Sequence, residues 1–148
     1  MHTARKLQCS MIAVALLALA ASPAFAGPPK LQGAWEVAVT FDAGGGEDIL
    51  ASYHRGGTMT LTGPSNLSSD AHGVWERTGP RTYSTRSVIF AYGPNGTLVG
   101  KVRATSEVEV SLDGNSYTGV FRAEVRDLGG NLLLVNTGTE TGTRITLD

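Results

Sequence analysis

The sequence predicts an all-β protein, an eight-stranded antiparallel up-and-down β-barrel built from residues 27–148, on three observations. Apolar and polar residues alternate through most of that span, and no stretch repeats with helical periodicity. Gly-rich turns punctuate the alternation, and all but one of the connections are short. Glycine, alanine and serine also fall inside strands, where inward side chains would otherwise fill the centre, so the barrel is expected to be hollow. An even-numbered meander of this kind closes on itself and leaves no free edge.

Residues 1–26 read as a secretory signal. A basic start (His2, Arg5, Lys6) precedes an apolar run from Met11 to Ala21, and Ala24-Phe25-Ala26 then supplies the small-residue cleavage site. The apolar run is too short and wrongly flanked to span a membrane. Its removal predicts a secreted or periplasmic chain of one domain, residues 27–148. Cys9 leaves with the signal, so the barrel holds no disulfide and depends on packing and hydrogen bonds. Loss of Arg5 and Lys6 leaves 10 Lys and Arg against 13 Asp and Glu, scattered rather than blocked. No basic stripe with interleaved aromatics is present, which argues against a nucleic-acid partner.

The strands are expected at 33–41, 47–54, 58–63, 71–78, 81–92, 97–112, 116–127 and 131–147. Turn chemistry fixes their faces, because a slip of one residue moves every side chain to the other side of the sheet. Arg55-Gly56-Gly57 reads as a three-residue loop that pairs Tyr53 with Met59 and Ala51 with Leu61, leaving His54 outside. Pro94-Asn95-Gly96 reads as a second, pairing Gly93 with Thr97 and hence Arg86 with Ala104, Val88 with Val102 and Phe90 with Gly100. A two-residue Gly79-Pro80 connection then sets Trp75 beside Ser84 and Gly73 beside Arg86. On this register Trp75, Arg86, Val88, Phe90 and Tyr92 all face inward.

Gly114-Asn115 suits a two-residue turn that pairs Leu112 with Tyr117, Val110 with Gly119 and Val108 with Phe121, with Glu107 opposite Arg122 on the outer face. A Gly129-Gly130 turn pairs Leu128 with Asn131, which aligns Val125 with Leu134, Ala123 with Asn136, Phe121 with Gly138 and Gly119 with Glu140. Thr137, Thr139, Thr141 and Thr143 then point outward, the ordinary place for threonine on a solvated sheet.

Closure brings Arg144 of the last strand towards Gly33-Ala34-Trp35 at the start of the first. A Gly-x-Trp opening with an Arg from the last strand packed on its Trp resembles the lipocalins and the wider calycin group. The short meander without a final helix also looks like the lipocalin-like cyclase barrels, which include allene oxide cyclase and the spirotetronate cyclases. The resemblance implies a calycin-like barrel with a ligand pocket, or a cofactor-free cyclase or isomerase. Trp35 and Arg144 themselves read as a plug at one end, a guanidinium stacked on an aromatic ring, with the ligand admitted at the other.

The interior predicted by these registers has small residues at Ala51, Gly73, Ala104, Ser106, Gly119, Ala123 and Gly138. It is ringed by Phe41, Tyr53, Trp75, Phe90, Tyr92, Tyr117 and Phe121. That is the composition of an apolar small-molecule pocket. Arg86 and Glu140 are the charged residues expected inside, where each needs a partner or a ligand of opposite sign. Arg86 suits a carboxylate or carbonyl oxygen, and Glu140 could be its partner or a proton acceptor.

The candidate ligand-binding set is therefore Phe41, Tyr53, Trp75, Arg86, Phe90, Tyr92, Tyr117, Phe121 and Glu140. His54 and His72 have no ligands at metal spacing, and Asp42 to Asp48 lacks the acidic pattern of a calcium loop, so no metal and no cofactor is expected. No nucleophile motif or phosphate loop occurs. Charged residues at Arg103, Glu107, Glu109, Arg122, Glu124 and Arg126 on the outward face argue against a membrane barrel.

Three functions fit: a carrier of a small apolar or amphipathic molecule, a cyclase or isomerase, or a filled barrel that binds another protein by its surface. An interior void below about 300 Å³ would favour the last.

Overall fold

The computed structural model describes residue 27 and residues 30–147; the expected export segment, residues 1–26, lies outside them. Eight strands form one closed antiparallel barrel in chain order. They are β1 (Gly33–Phe41), β2 (Gly46–Tyr53), β3 (Thr58–Thr62), β4 (Ala71–Arg77), β5 (Thr82–Tyr92), β6 (Leu98–Val110), β7 (Ser116–Asp127) and β8 (Leu132–Arg144). Closure runs from Trp35 opposite Arg144 to Phe41 opposite Gly138. Alternation is the physical cause of the architecture: in β1 the side chains of Trp35, Val37 and Val39 are buried while Glu36, Ala38 and Thr40 are exposed.

One end of the barrel is closed by the residues expected to close it. Trp35 and Leu31 are fully buried, and the indole Nε1 donates to the Leu31 carbonyl at 2.8 Å. The Arg144 guanidinium stacks 4.1 Å from the Trp35 ring centre. It also donates to the carbonyls of Gly114 at 2.7 Å and Gln32 at 2.8 Å, and to that of Lys30. One cation thus ties the chain entering β1, the β6–β7 turn and the last strand together. Above this plug Val37, Tyr53, Met59, Tyr83, Val108, Val110 and Tyr117 fill the closed half.

Two expected registers hold. Tyr53 lies opposite Met59 and Ala51 opposite Leu61. Gly119 lies opposite Glu140, Phe121 opposite Gly138 and Ala123 opposite Asn136. The turn of this last hairpin is nevertheless one residue longer than expected, closed by Asp127 N–H to Asn131 C=O at 3.0 Å, with Gly130 in the left-handed region at φ 86°. A bulge beside Arg126 absorbs the extra residue and restores the alignment.

The other registers differ from expectation, each for an identifiable reason. The β6–β7 connection has four residues, because the Asp113 carboxylate accepts from Ser111 Oγ and from Asn115 N–H and holds a wider turn. Val110 rather than Leu112 lies opposite Tyr117, and Val108 opposite Gly119; the shift is by two residues, so inner and outer faces survive. The expected Glu107–Arg122 pairing does not form. Glu107 faces Val120, and Arg122 pairs with Glu124 of its own strand at 2.5 Å.

Strand β5 is turned over relative to the expected register. The connection after β4 takes three residues, with Thr78 N–H bonded to Thr82 C=O at 2.9 Å, and Arg77 braces it by donating to Gly79 C=O at 2.8 Å. Trp75 therefore lies opposite Thr85 and Gly73 opposite Ser87. At the far end Gly93 and Thr97 close the expected Pro94-Asn95-Gly96 loop, yet a bulge follows at once: Tyr92 faces Leu98 and Ala91 faces Gly100. Both one-residue changes reverse the faces of β5. Arg86, Val88 and Phe90 point outward, while Thr85, Ser87 and Ile89 point inward.

Candidate functional site: an acid-floored cavity

The half of the barrel away from Trp35 is hollow. A cavity of ≈ 280 Å³ opens at the end marked by the β1–β2, β3–β4, β5–β6 and β7–β8 connections. Its walls are Val39, Phe41, Ile49, Met59, Leu61, Ile89, Val102, Ala104, Phe121, Ala123 and Val125, with Tyr53, Tyr117 and Glu140 adjoining the closed half. Thr85, Ser87, Ser106 and Asn136 add neutral polar groups, and Glu47 adds a second carboxylate. A larger concavity of ≈ 670 Å³ lies along β1, β2 and β8, but Glu36, Ala38, Asp48, Leu50, Thr141 and Thr143 line it from the outer face. It is an open surface and encloses nothing.

The glycines expected to hollow the barrel do so only in part. A Cβ at Gly73 would strike the Arg86 carbonyl and Ser87, one at Gly138 the Phe121 ring and the Thr40 carbonyl, and one at Gly119 the Val108 side chain; Gly142, not among those expected, likewise makes room for the Tyr117 ring. Their missing side chains make room for these neighbours. The void itself comes from the short side chains of Thr85, Ser87, Ala104, Ser106 and Ala123, which meet across the open half.

Glu140 is the chemically distinctive group. It sits between Val39 of β1 and Gly119 of β7, is only 8% exposed, and its Oε1 has no hydrogen-bond partner. Burial pushes its carboxyl from the ordinary 4.5 up to about 7, while a hydrogen bond with the Ser106 side chain pulls the other way. Tyr53 and Tyr117, whose hydroxyls are 3.5 Å apart, flank it. Burial raises both phenols, and the charge of Glu140 raises them further, so both are neutral donors at ordinary pH.

Of the nine residues expected at the site, Phe41, Tyr53, Tyr117, Phe121 and Glu140 line the cavity. Trp75 faces inward but belongs to the closed half, where its Nε1 donates to the carbonyls of His54 at 3.1 Å and Thr58 at 3.0 Å. Tyr92 stands at the β5 bulge, its N–H bonded to Leu67 C=O at 2.8 Å, and is not a lining residue. Phe90 is outside, with the Lys101 ammonium 5.5 Å from its ring centre. Arg86 is outside and exposed, so it is neither an interior anchor nor a partner for Glu140. Arg86→Leu should consequently leave the unfolding free energy within about 0.5 kcal/mol of wild type. A loss of several kcal/mol in a urea titration would return Arg86 to the interior.

Sequence reasoning missed Ile89, Thr85 and Ser87 through the reversed β5. It also missed Glu47, although the alternation that turns Ala51 and Tyr53 inward carries back to that residue.

The fold and the cavity define a class: an eight-stranded up-and-down β-barrel, closed at one end by an Arg-on-Trp plug and hollow at the other. No family model matches the chain, and no curated protein matches it.

Proposed function

We propose that the barrel binds a small, mostly apolar molecule in its open half, with Glu140 as the polar anchor, and that it does so after export from the cell. The observation that carries this reading is a buried carboxyl, hydrogen-bonded to the Ser106 hydroxyl and facing no cation among the described residues, on the wall of a mostly apolar cavity. A buried charge without a partner costs stability, and a ligand that meets it offsets that cost. The cavity, ≈ 280 Å³, falls below the usual range of about 300–1,000 Å³, which limits this reading to a compact ligand and meets the volume criterion for a surface-binding barrel. The plug of Trp35 and Arg144 supports kinship with the calycins in their broad sense.

Two rivals have observations of their own. A carboxyl near neutrality beside two phenols is suited to proton transfer, which favours a cofactor-free isomerase or cyclase. The marginal cavity volume favours a surface-binding barrel, as do the exposed Leu128, Leu132 and Leu133 at the β7–β8 hairpin.

Native mass spectrometry of the protein recovered from its own host separates them. The carrier reading expects a small adduct that disappears on denaturation and in Ala104→Trp, whose indole would occupy the void. A bare polypeptide mass that stays bare after incubation with host small-molecule extract would overturn it. An adduct whose mass changes with time would favour the enzyme.

A further inference from the structure

We propose that the cavity ligand is an organic cation, a small amine with a hydrophobic body, whose ammonium pairs with Glu140 among the rings of Tyr53, Tyr117 and Phe121. This names the ligand class for the binding reading above and rests on it. The lining of the cavity is negatively charged. Its charged members are Glu47 and Glu140, and no Lys, Arg or His belongs to it. Arg144 is committed to backbone carbonyls at the closed end, and Arg86 and Arg103 lie on the outer face. Among the described residues, therefore, no cation is placed to neutralise Glu140, and the complement must come with the ligand.

Aromatic rings make up part of the remaining surface. Tyr53 and Tyr117 meet edge to face with centroids 6.4 Å apart, and Phe41 and Phe121 do so at 5.7 Å. Ring faces attract cations, and the attraction grows where water is excluded. An anionic ligand would instead be repelled by both carboxylates. A neutral alcohol would leave the charge of the carboxylate uncompensated. At the mouth, Asp42 in the β1–β2 turn stands near the exposed Glu47, and both add negative charge at the entrance.

Binding should also depend on pH, strengthening as Glu140 ionises. The groups that face Glu140 do not obscure this. Val39 of β1, Gly119 of β7 and Ser106 of β6 carry no charge, and Tyr53 of β2 and Tyr117 of β7 stay neutral. Glu47 is the remaining lining carboxylate.

The test is calorimetric titration of purified protein with 2-phenylethylamine, 2-phenylethanol and phenylacetate, with amide shifts of Phe121 and Ala123 locating the bound probe. At pH 8 the amine should bind about tenfold or more tightly than the alcohol, and phenylacetate more weakly still. The preference for the amine should shrink at pH 5 and vanish in Glu140→Gln, which keeps the alcohol; circular dichroism confirms that the variant is folded. Equal or tighter binding of the alcohol or the acid would overturn the cation class while leaving the cavity reading intact. Failure of all three probes to bind or to shift those amides would overturn both.

Discussion

Glu140→Gln is expected to stabilise the protein at pH 8 by as much as about 3 kcal/mol, and to change its stability little at pH 4. Burial holds the proton on the folded-state carboxyl up to about pH 7, whereas the unfolded chain releases it near 4.5. Between those values the folded protein binds more protons than the unfolded chain, so stability falls as pH rises through the interval. Below it the carboxyl is neutral in both states and the effect disappears. Above it wild type carries a buried charge, with one oxygen lacking a hydrogen bond, that Gln does not carry. Urea denaturation of both proteins across pH 4 to 8 reads the difference directly. Equal stability at pH 8 would mean that Glu140 is solvated or paired, and a destabilised variant would mean that the carboxylate holds the barrel together. A stabilising substitution at a binding residue is itself informative, because sites that serve a ligand are commonly kept at a cost to the fold.

Trp35→Ala should have the opposite effect, a loss of about 3–5 kcal/mol at any pH where the protein folds. The indole is fully buried, meets the Tyr117 ring at 5.0 Å between centroids, and carries Arg144 on its face. Its removal leaves a void in the closed half and deprives the Leu31 carbonyl of its donor. Arg144 would keep its three backbone acceptors but lose the surface on which it stacks. Trp35→Phe retains most of the buried area and should cost less. A Trp35→Ala unfolding free energy within about 1 kcal/mol of wild type would show that the plug contributes little.

The fold was legible because its cause is periodic. Alternation in β1, β7 and β8 sorts Trp35, Tyr117 and Glu140 to one side whatever the details of the loops. Closure was legible from the even-numbered meander, and the neighbourhood of Trp35 and Arg144 that closure implies is present. Registers that depend on counting turn residues were less secure. At Gly114-Asn115 the unforeseen hydrogen bonds of Asp113 moved the pairing by two residues and did no harm to the faces. At β5 a longer turn and a bulge each moved it by one, which exchanged Arg86 for Thr85 and Ser87 inside the barrel.

The bulge lies where the β3–β4 connection crosses β5. Ser69 N–H bonds the Phe90 carbonyl at 3.0 Å, and the Ser69 hydroxyl accepts from Phe90 N–H at 3.0 Å. Those contacts join segments distant in sequence, and local turn chemistry carries no trace of them. The consequence for the site is a change of sign: the expected pocket held Arg86 with Glu140, and the observed one holds Glu140 with Glu47.

The open half of the barrel is a cavity floored by a buried carboxyl that no cation among the described residues neutralises. A carbon-13 NMR titration of the Glu140 side-chain carboxyl, assigned by its absence in Glu140→Gln, tests it most directly. The account expects a midpoint near 7 in the free protein, moving down when 2-phenylethylamine is added. A midpoint near 4.5, unmoved by the amine, would place Glu140 in water and contradict the account.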